Sequence, residues 1–221
     1  MQHLQDLEIF EIEILELLNS NKILDKLFFG GGTMLRLCHN LNRYSTDLDF
    51  WLDIGTDSKE IFKRIRLSLE KNYIITDAAN KNNTLLFEIK SEKVKRNLKI
   101  EVRKEQSNFE WEKKIAFSTF TNKQVMVNAL TLKQMMKNKI SAAVSRKIIR
   151  DFFDIEFLFK RGVEIIATQD ELRQLLMIIS SFKIRDYKVT LGSVLEEKER
   201  NYYSENELKL LVEEIHRKLL E

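Results

Sequence analysis

Proline is absent from the 221 residues, cysteine occurs once and histidine three times. Without proline there is no rigid linker and no proline-rich docking segment. A single thiol, Cys38, excludes an intramolecular disulfide and suits a reducing compartment. It has no CxxC partner and sits in an apolar-periodic stretch, which reads as a packed small residue. His3, His39 and His216 are scattered, with neither an HExxH spacing nor a Ser–His–Asp arrangement to support. No apolar run approaches the roughly 20 residues that cross a bilayer. The acidic, amphipathic N-terminus has neither the basic start nor the apolar core of a signal peptide. A cytoplasmic protein with no membrane partner is expected. One-sided charge is lacking too: 37 basic against 34 acidic residues leave a formal net charge of +3. So small an excess generates little steering field; it permits contact with nucleic acid without arguing for it. The local clusters at 90–103 and 133–150 are more informative, with solvated faces as the plain alternative.

What is present is enough apolar material, 43% of residues, to bury a core. Leu4, Leu7, Phe10, Ile14, Leu17 and Leu18 recur at three- and four-residue steps and predict a helix over 3–20. Leu27-Phe28-Phe29 predicts a buried strand running into a tight turn at Gly30-Gly31-Gly32, and residues 33–41 a helix. Leu48, Phe50 and Leu52 alternate with Asp47, Asp49 and Trp51, the period of a strand. Asp57 to Glu60 is a capping box for a helix over 58–70. A short strand is expected at 73–77. Residues 84–90 and 98–103 both alternate across a polar connection, as an antiparallel pair would. Another short strand is expected at 125–127. Thr131 to Gln134 opens a helix to about 145, and a further helix runs from about 149 to 160 with Gly162 as its stop. Thr168…Glu171 and Ser204…Glu207 predict capped helices near 169–181 and 205–220. The order gives an α/β or α+β N-terminal half and a helical C-terminal half. The expected domains are 1–125 and 126–221.

Chemistry concentrates between Phe28 and Phe50. A glycine turn between strand and helix brings backbone N–H groups close to a phosphate, since no Cβ intervenes, and the helix N-terminus adds partial positive charge. Gly31 and Gly32 fit that role, and Thr33 adds a hydroxyl. Neither GxGxxG nor a P-loop lysine is present, so a plain turn is the alternative. Residues two apart on a strand point the same way, so Asp47 and Asp49 project together. Paired carboxylates repel unless a cation lies between them, and Mg²⁺ takes one or two carboxylates plus waters and substrate phosphates. Two exposed strand-end aspartates are the alternative reading. Phosphoryl transfer needs both a phosphate cradle and a metal pair. Glu101 in the 98–103 strand can reach the same metals if that strand neighbours 47–52; an exposed charge ladder is the alternative. Lys139, Arg146 and Arg150 share one face if their helix is continuous, a stripe suited to a triphosphate or a nucleic acid backbone. A salt-bridge-laced surface with Asp151 and Asp154 is equally open. Phe152, Phe153, Phe157 and Phe159 read as core.

The segment Gly31-Gly32-Thr33-Met34-Leu35, followed by Arg43-Tyr44-Ser45-Thr46-Asp47-Leu48-Asp49-Phe50, resembles the GG-x-x-L … R-x-S-x-D-L-D-F pattern of AbiEii-type nucleotidyltransferases, the toxins of type IV toxin–antitoxin and abortive-infection systems. Lys139 to Ala143, Arg146, and Arg150-Asp151-Phe152-Phe153-Asp154-Ile155 are similar to the family's K-x-x-A … R-D-x-x-D-L block. The resemblance implies a DNA-polymerase-β-like core and a C-terminal domain that completes the active-site cleft. It implies Asp47 and Asp49 as ligands of Mg²⁺ or Mn²⁺, with Glu101 where many relatives carry aspartate. Gly31, Gly32, Thr33, Arg43, Ser45, Lys139 and Arg146 would bind the nucleoside triphosphate, and Asp151 with Lys139 would serve catalysis. The acceptor would be RNA, with tRNA the leading candidate. A functional antitoxin would be encoded nearby without a stable complex. Transfer to a protein or a small molecule such as an antibiotic, and a non-catalytic nucleotide-binding module, are the rival readings.

Overall fold

The first apolar stripe folds as helix α1 (Gln2–Ser20) in the computed structural model, which describes residues 1–220. The chain then forms β1 (Leu27–Gly30), α2 (Gly31–His39), β2 (Asp47–Leu52), α3 (Ser58–Glu70), β3 (Ile74–Asn80), β4 (Thr84–Lys90), β5 (Leu98–Arg103), β6 (Trp111–Phe117) and β7 (Gln124–Leu130). Five helices follow: α4 (Leu132–Arg146), α5 (Ile149–Lys160), α6 (Gln169–Ser181), α7 (Glu197–Asn206) and α8 (Lys209–Leu219). A π-helical turn at Asp186–Leu191 and a 3-10 turn at Gly192–Val194 lie before α7. The class is α+β, a mixed sheet with flanking helices and a helical C-terminal part.

The seven strands run β3-β4-β5-β2-β1-β7-β6. β2 pairs parallel with β5 and β1 parallel with β7, while the remaining neighbours are antiparallel. The predicted β4–β5 pair is present, and β5 lies beside β2 with Asp49 opposite Glu101. α1, α2 and α3 cover one face, where Phe29 and Phe50 meet at 5.1 Å and Phe62 of α3 stacks on Phe87 at 4.9 Å. The opposite face carries Asp47, Asp49 and Trp51. There Phe109 lies edge-on to Trp51, and the Arg103 guanidinium sits 5.1 Å from its ring.

Contacts divide the chain into one unit of residues 1–40 and 44–131 and another of 41–43 and 132–221. Within the second, Phe152 and Phe153 are fully buried and Phe157 nearly so, as core residues should be. α6 has the predicted cap: Thr168 accepts from the Glu171 N–H while the Glu171 carboxylate accepts from the Thr168 N–H. α3 is capped by Asp57, which accepts from the Lys59 N–H.

Several elements depart from the sequence reading. The glycines do not form a separate turn, because Gly30 ends β1 and Gly31 already opens α2 at φ +75°. β3 and β7 are longer than expected. β6 is an additional strand; its outward residues are exposed, so no apolar alternation marks it. The two helices expected to about 145 and from about 149 are both present, and Lys147 at φ +56° separates them, so the condition of one continuous helix through Lys139, Arg146 and Arg150 is not met. The expected helix at 205–220 is two helices, broken at Glu207, whose φ is +53°. Ser204 therefore lies inside α7, where its hydroxyl donates to the Arg200 carbonyl rather than capping a new start.

Candidate active site

Strand pairing and the glycine helix start bring the first group together. β1 and β2 pair so that Gly30 lies opposite Asp49. Gly31 then turns the chain into α2 with its Cα against the Asp49 carboxylate; a Cβ there would overlap that carboxylate, and the φ of +75° disfavours any L side chain. Asp47 and Asp49 are half-buried while Leu48 and Phe50 are buried, so both carboxylates leave the sheet on one side. The α2 N-terminus at Gly31, Gly32 and Thr33 is thus held beside an acid pair. Ser45, half-buried, lies in the segment just before β2.

The buried Thr33 hydroxyl donates to the Asp47 carbonyl at 2.6 Å and ties the start of β2 to α2. Glu11 of α1 lies 3.5 Å away on the far side of the same hydroxyl. Burial holds the Glu11 carboxyl well above its ordinary range, and the nearby Glu8 and Asp47 push it further; Arg36 and the Thr33 hydroxyl oppose this. Beside Glu11, Glu8, also buried, takes an ion pair from Arg36 and a 2.7 Å hydrogen bond from Ser118. Sequence reasoning passed over this buried acidic layer. The available signal was that Glu8 and Glu11 sit on the Leu4, Leu7, Ile14, Leu18 stripe, where a solvated acid has no place.

Glu101 has an ion-pair partner on its own strand. Among the described residues no three His, Cys, Asp or Glu side chains converge on one metal position. Glu101 faces the same side as Asp49, but its carboxylate is ion-paired with Lys99, two residues away on the same strand face. The hydrogen bond to Glu101 raises the Lys99 ammonium above its ordinary value despite opposing desolvation, and Asp47 and Asp49 add to the rise. Three carboxylates thus act on one cationic side chain. Asp47 and Asp49 fit a divalent cation: two carboxylates on one strand face, beside a glycine that alone leaves room for the second.

The second unit holds the other predicted residues. Arg43 grips the fully buried Asp154 through Nε and Nη2, both at 2.6 Å. Lys139 reaches Asp154 at 2.6 Å and Asp151 at 3.1 Å, and Arg146 reaches Asp151 at 2.8 Å. Burial would raise the Asp154 carboxyl, but Arg43 and Lys139 outweigh it and hold it below the usual carboxylate range. Arg43 is buried and turned to Asp154. Lys139 is likewise 6% exposed. Arg146, with 48% of its side chain exposed, is the open cation of the group. Arg150 belongs to the next helix and does not extend a stripe from Arg146. Cys38 takes no part in either cluster, and burial pushes its thiol up to about 12, as a packed residue should show.

Known proteins bear on this arrangement. The family described as "Nucleotidyl transferase AbiEii toxin, Type IV TA system" matches residues 14–202, a span holding both clusters. JHP933 from Helicobacter pylori has a similar fold, with a TM-score of 0.59 and 19% identity over 96% of this chain and 93% of that one. A second H. pylori structure, provisionally described as a nucleotidyltransferase, gives a TM-score of 0.59 and 20% identity over 95% of both chains. No curated protein matches the chain. No helix among the described residues is long and apolar enough to cross a membrane. The chain belongs to the AbiEii family of nucleotidyltransferase toxins of type IV toxin–antitoxin systems.

Proposed function

We propose that the protein is a metal-dependent transferase that moves a nucleoside monophosphate from a nucleoside triphosphate to a hydroxyl of RNA, with tRNA the leading acceptor. The reading takes the sheet and its helices as a polymerase-β-like core. The observation that carries it is the Asp47/Asp49 pair on one face of β2 with the Gly31 helix start against Asp49. A divalent cation, Mg²⁺ or Mn²⁺, would be held by Asp47 and Asp49 and would supply charge neutralisation for the triphosphate.

The chain's own groups do the rest. Backbone N–H groups at Gly31, Gly32 and Thr33, reinforced by the α2 dipole, suit phosphate oxygens, and Ser45 is placed in the segment that leads into Asp47. Thr33 holds the backbone of Asp47 through its carbonyl. The acceptor hydroxyl attacks the α-phosphorus in line, its bond to phosphorus forms as the bond to pyrophosphate breaks, and the hydroxyl proton passes to a nearby base. The resemblance assigns Lys139 and Asp151 to the reaction; their ion pair holds both in fixed orientation. Arg146 is the exposed cation that suits an anionic substrate.

RNA is favoured over a small acceptor by the same sheet face. Trp111 (45% exposed) and Phe117 (37%) on β6 stand out on the side that carries Asp49, with Lys113 exposed between them. Aromatic platforms interleaved with a cation suit splayed bases and their phosphates. An antitoxin encoded nearby and acting without a stable complex fits the type IV assignment. Incubation with Mg²⁺, each α-labelled nucleoside triphosphate in turn, and total RNA tests the reading. Label should enter a tRNA-sized band and vanish with Asp49→Ala. Label on protein or on a small acceptor instead would select the first rival reading, and binding without any transfer the second.

A further inference from the structure

We propose that Lys99 is a built-in substitute for a second divalent cation, so that Glu101 serves Lys99 rather than a metal and the site takes a single ion. The inference rests on the metal-dependent reading above and deepens it.

The geometry is local to two strands. Lys99 stands opposite Asp47 and Glu101 opposite Asp49 in the parallel β2–β5 register. Adjacent strands lie about 4.8 Å apart, and the period of two puts all four side chains on one face. A third carboxylate at the Glu101 position would normally draw a second cation, because three acids that close repel each other strongly. Here the ammonium of Lys99 is already paired with Glu101 and lies in the field of Asp47 and Asp49. A divalent ion bound at Glu101 would meet that ammonium within a few ångströms. The two cations are mutually exclusive. The extra methylene of glutamate lets its carboxylate lean along the strand to Lys99 instead of across to Asp49. Lys99 and Glu101 are 41% and 26% exposed at their side chains, so the pair is open to solvent and exchange is not blocked by packing. Lys99 acts here as a positioning and charge-setting residue.

The test is a Mn²⁺ titration followed by the electron paramagnetic resonance of the free ion, which reads stoichiometry and affinity without any turnover. Wild-type protein should bind one ion tightly. Glu101→Gln should leave that affinity unchanged within about threefold. Lys99→Met should create or tighten a second site at least tenfold, and Lys99→Met/Glu101→Gln should lose it again. Lys99→Arg, which keeps the charge, should behave as wild type. Two ions on wild-type protein, one of them lost in Glu101→Gln, would overturn the inference by making Glu101 a metal ligand. An unaltered titration in Lys99→Met would overturn it as well. If instead Asp49→Asn keeps every ion, the metal pair itself is wrong and the inference falls with it, a signature neither of the other failures gives.

Discussion

At the scale of single residues, the acid pair was legible because strand periodicity is strict: one residue of slip would have sent Asp47 and Asp49 into the core and Leu48 and Phe50 out of it. Periodicity also placed Glu101 on the right face. It could not say where the Glu101 carboxylate points, since side-chain torsions choose among neighbours that only the fold brings near. Gly31 carries the sharpest prediction at this scale. Gly31→Ala places a methyl group where the Asp49 carboxylate lies and forces a left-handed φ on alanine. Nucleotidyl transfer should fall by at least about 100-fold, and stability by about 1–3 kcal/mol, measured by label transfer and urea unfolding; activity within threefold of wild type would show that the close approach is unimportant. Asp154 behaves differently. Its folded pKa is depressed by Arg43 and Lys139 against burial, so its stabilisation is complete above the unfolded value of about 3.9 and is lost as pH falls through the folded value. Asp154→Asn should remove that acid limb. At neutral pH it should cost about 3–5 kcal/mol, because two cations would stay buried without their shared partner. Wild-type stability at neutral pH would contradict the assignment of this network as a structural clamp.

Elements were legible where one face is wet and the other dry. β5 alternates throughout and β2 does so over Asp47 to Phe50, and α3 and α6 announce their starts through Asp57 and Thr168. β6 was missed for a physical reason: it is an edge strand whose outward residues are Trp111, Lys113, Ile115 and Phe117, so hydrophobicity does not separate its faces. The gap between helices ending near 145 and starting near 149 was legible, whereas the break at Glu207 was missed because neither glycine nor asparagine occupies that left-handed position. α1 was placed correctly, but its buried acids Glu8 and Glu11 went unread, because apolar periodicity marks a stripe without weighing the polar residues that lie on it. That layer predicts a pH effect. The folded Glu11 pKa lies above its unfolded value near 4.3, so the folded state holds the extra proton and stability falls as pH rises from that value through the folded one. Glu11→Gln keeps the shape and abolishes the titration. Thermal unfolding should then show a flatter pH profile above about 4.3, with the variant more stable than wild type on the alkaline side. A variant that is less stable at every pH, with the wild-type slope retained, would mean that Glu11 is charged and paired instead.

On the scale of the whole molecule, a net charge of +3 left the choice of acceptor open, and that choice turns on how the sheet distributes side chains rather than on their sum. The face bearing Asp47 and Asp49 runs through Gly30 and Leu130 to the outer strand β6, where Trp111 lies opposite Leu130, Lys113 opposite Asn128 and Phe117 opposite Gln124. Two exposed rings on an edge strand next to a phosphoryl-transfer face cost solubility unless they meet a partner, and bases stack on such rings for about 1–3 kcal/mol each. Trp111→Ala/Phe117→Ala should therefore raise the KM for the RNA acceptor about tenfold or more, while the KM for the nucleoside triphosphate and the Tm stay near wild type. Raising salt should weaken acceptor binding in both proteins, more steeply where phosphate contacts remain dominant. If the double variant transfers nucleotide to RNA with an unchanged KM, the rings face some other partner and the acceptor path lies elsewhere on the sheet. Steady-state kinetics with purified tRNA, at two salt concentrations, separates these outcomes.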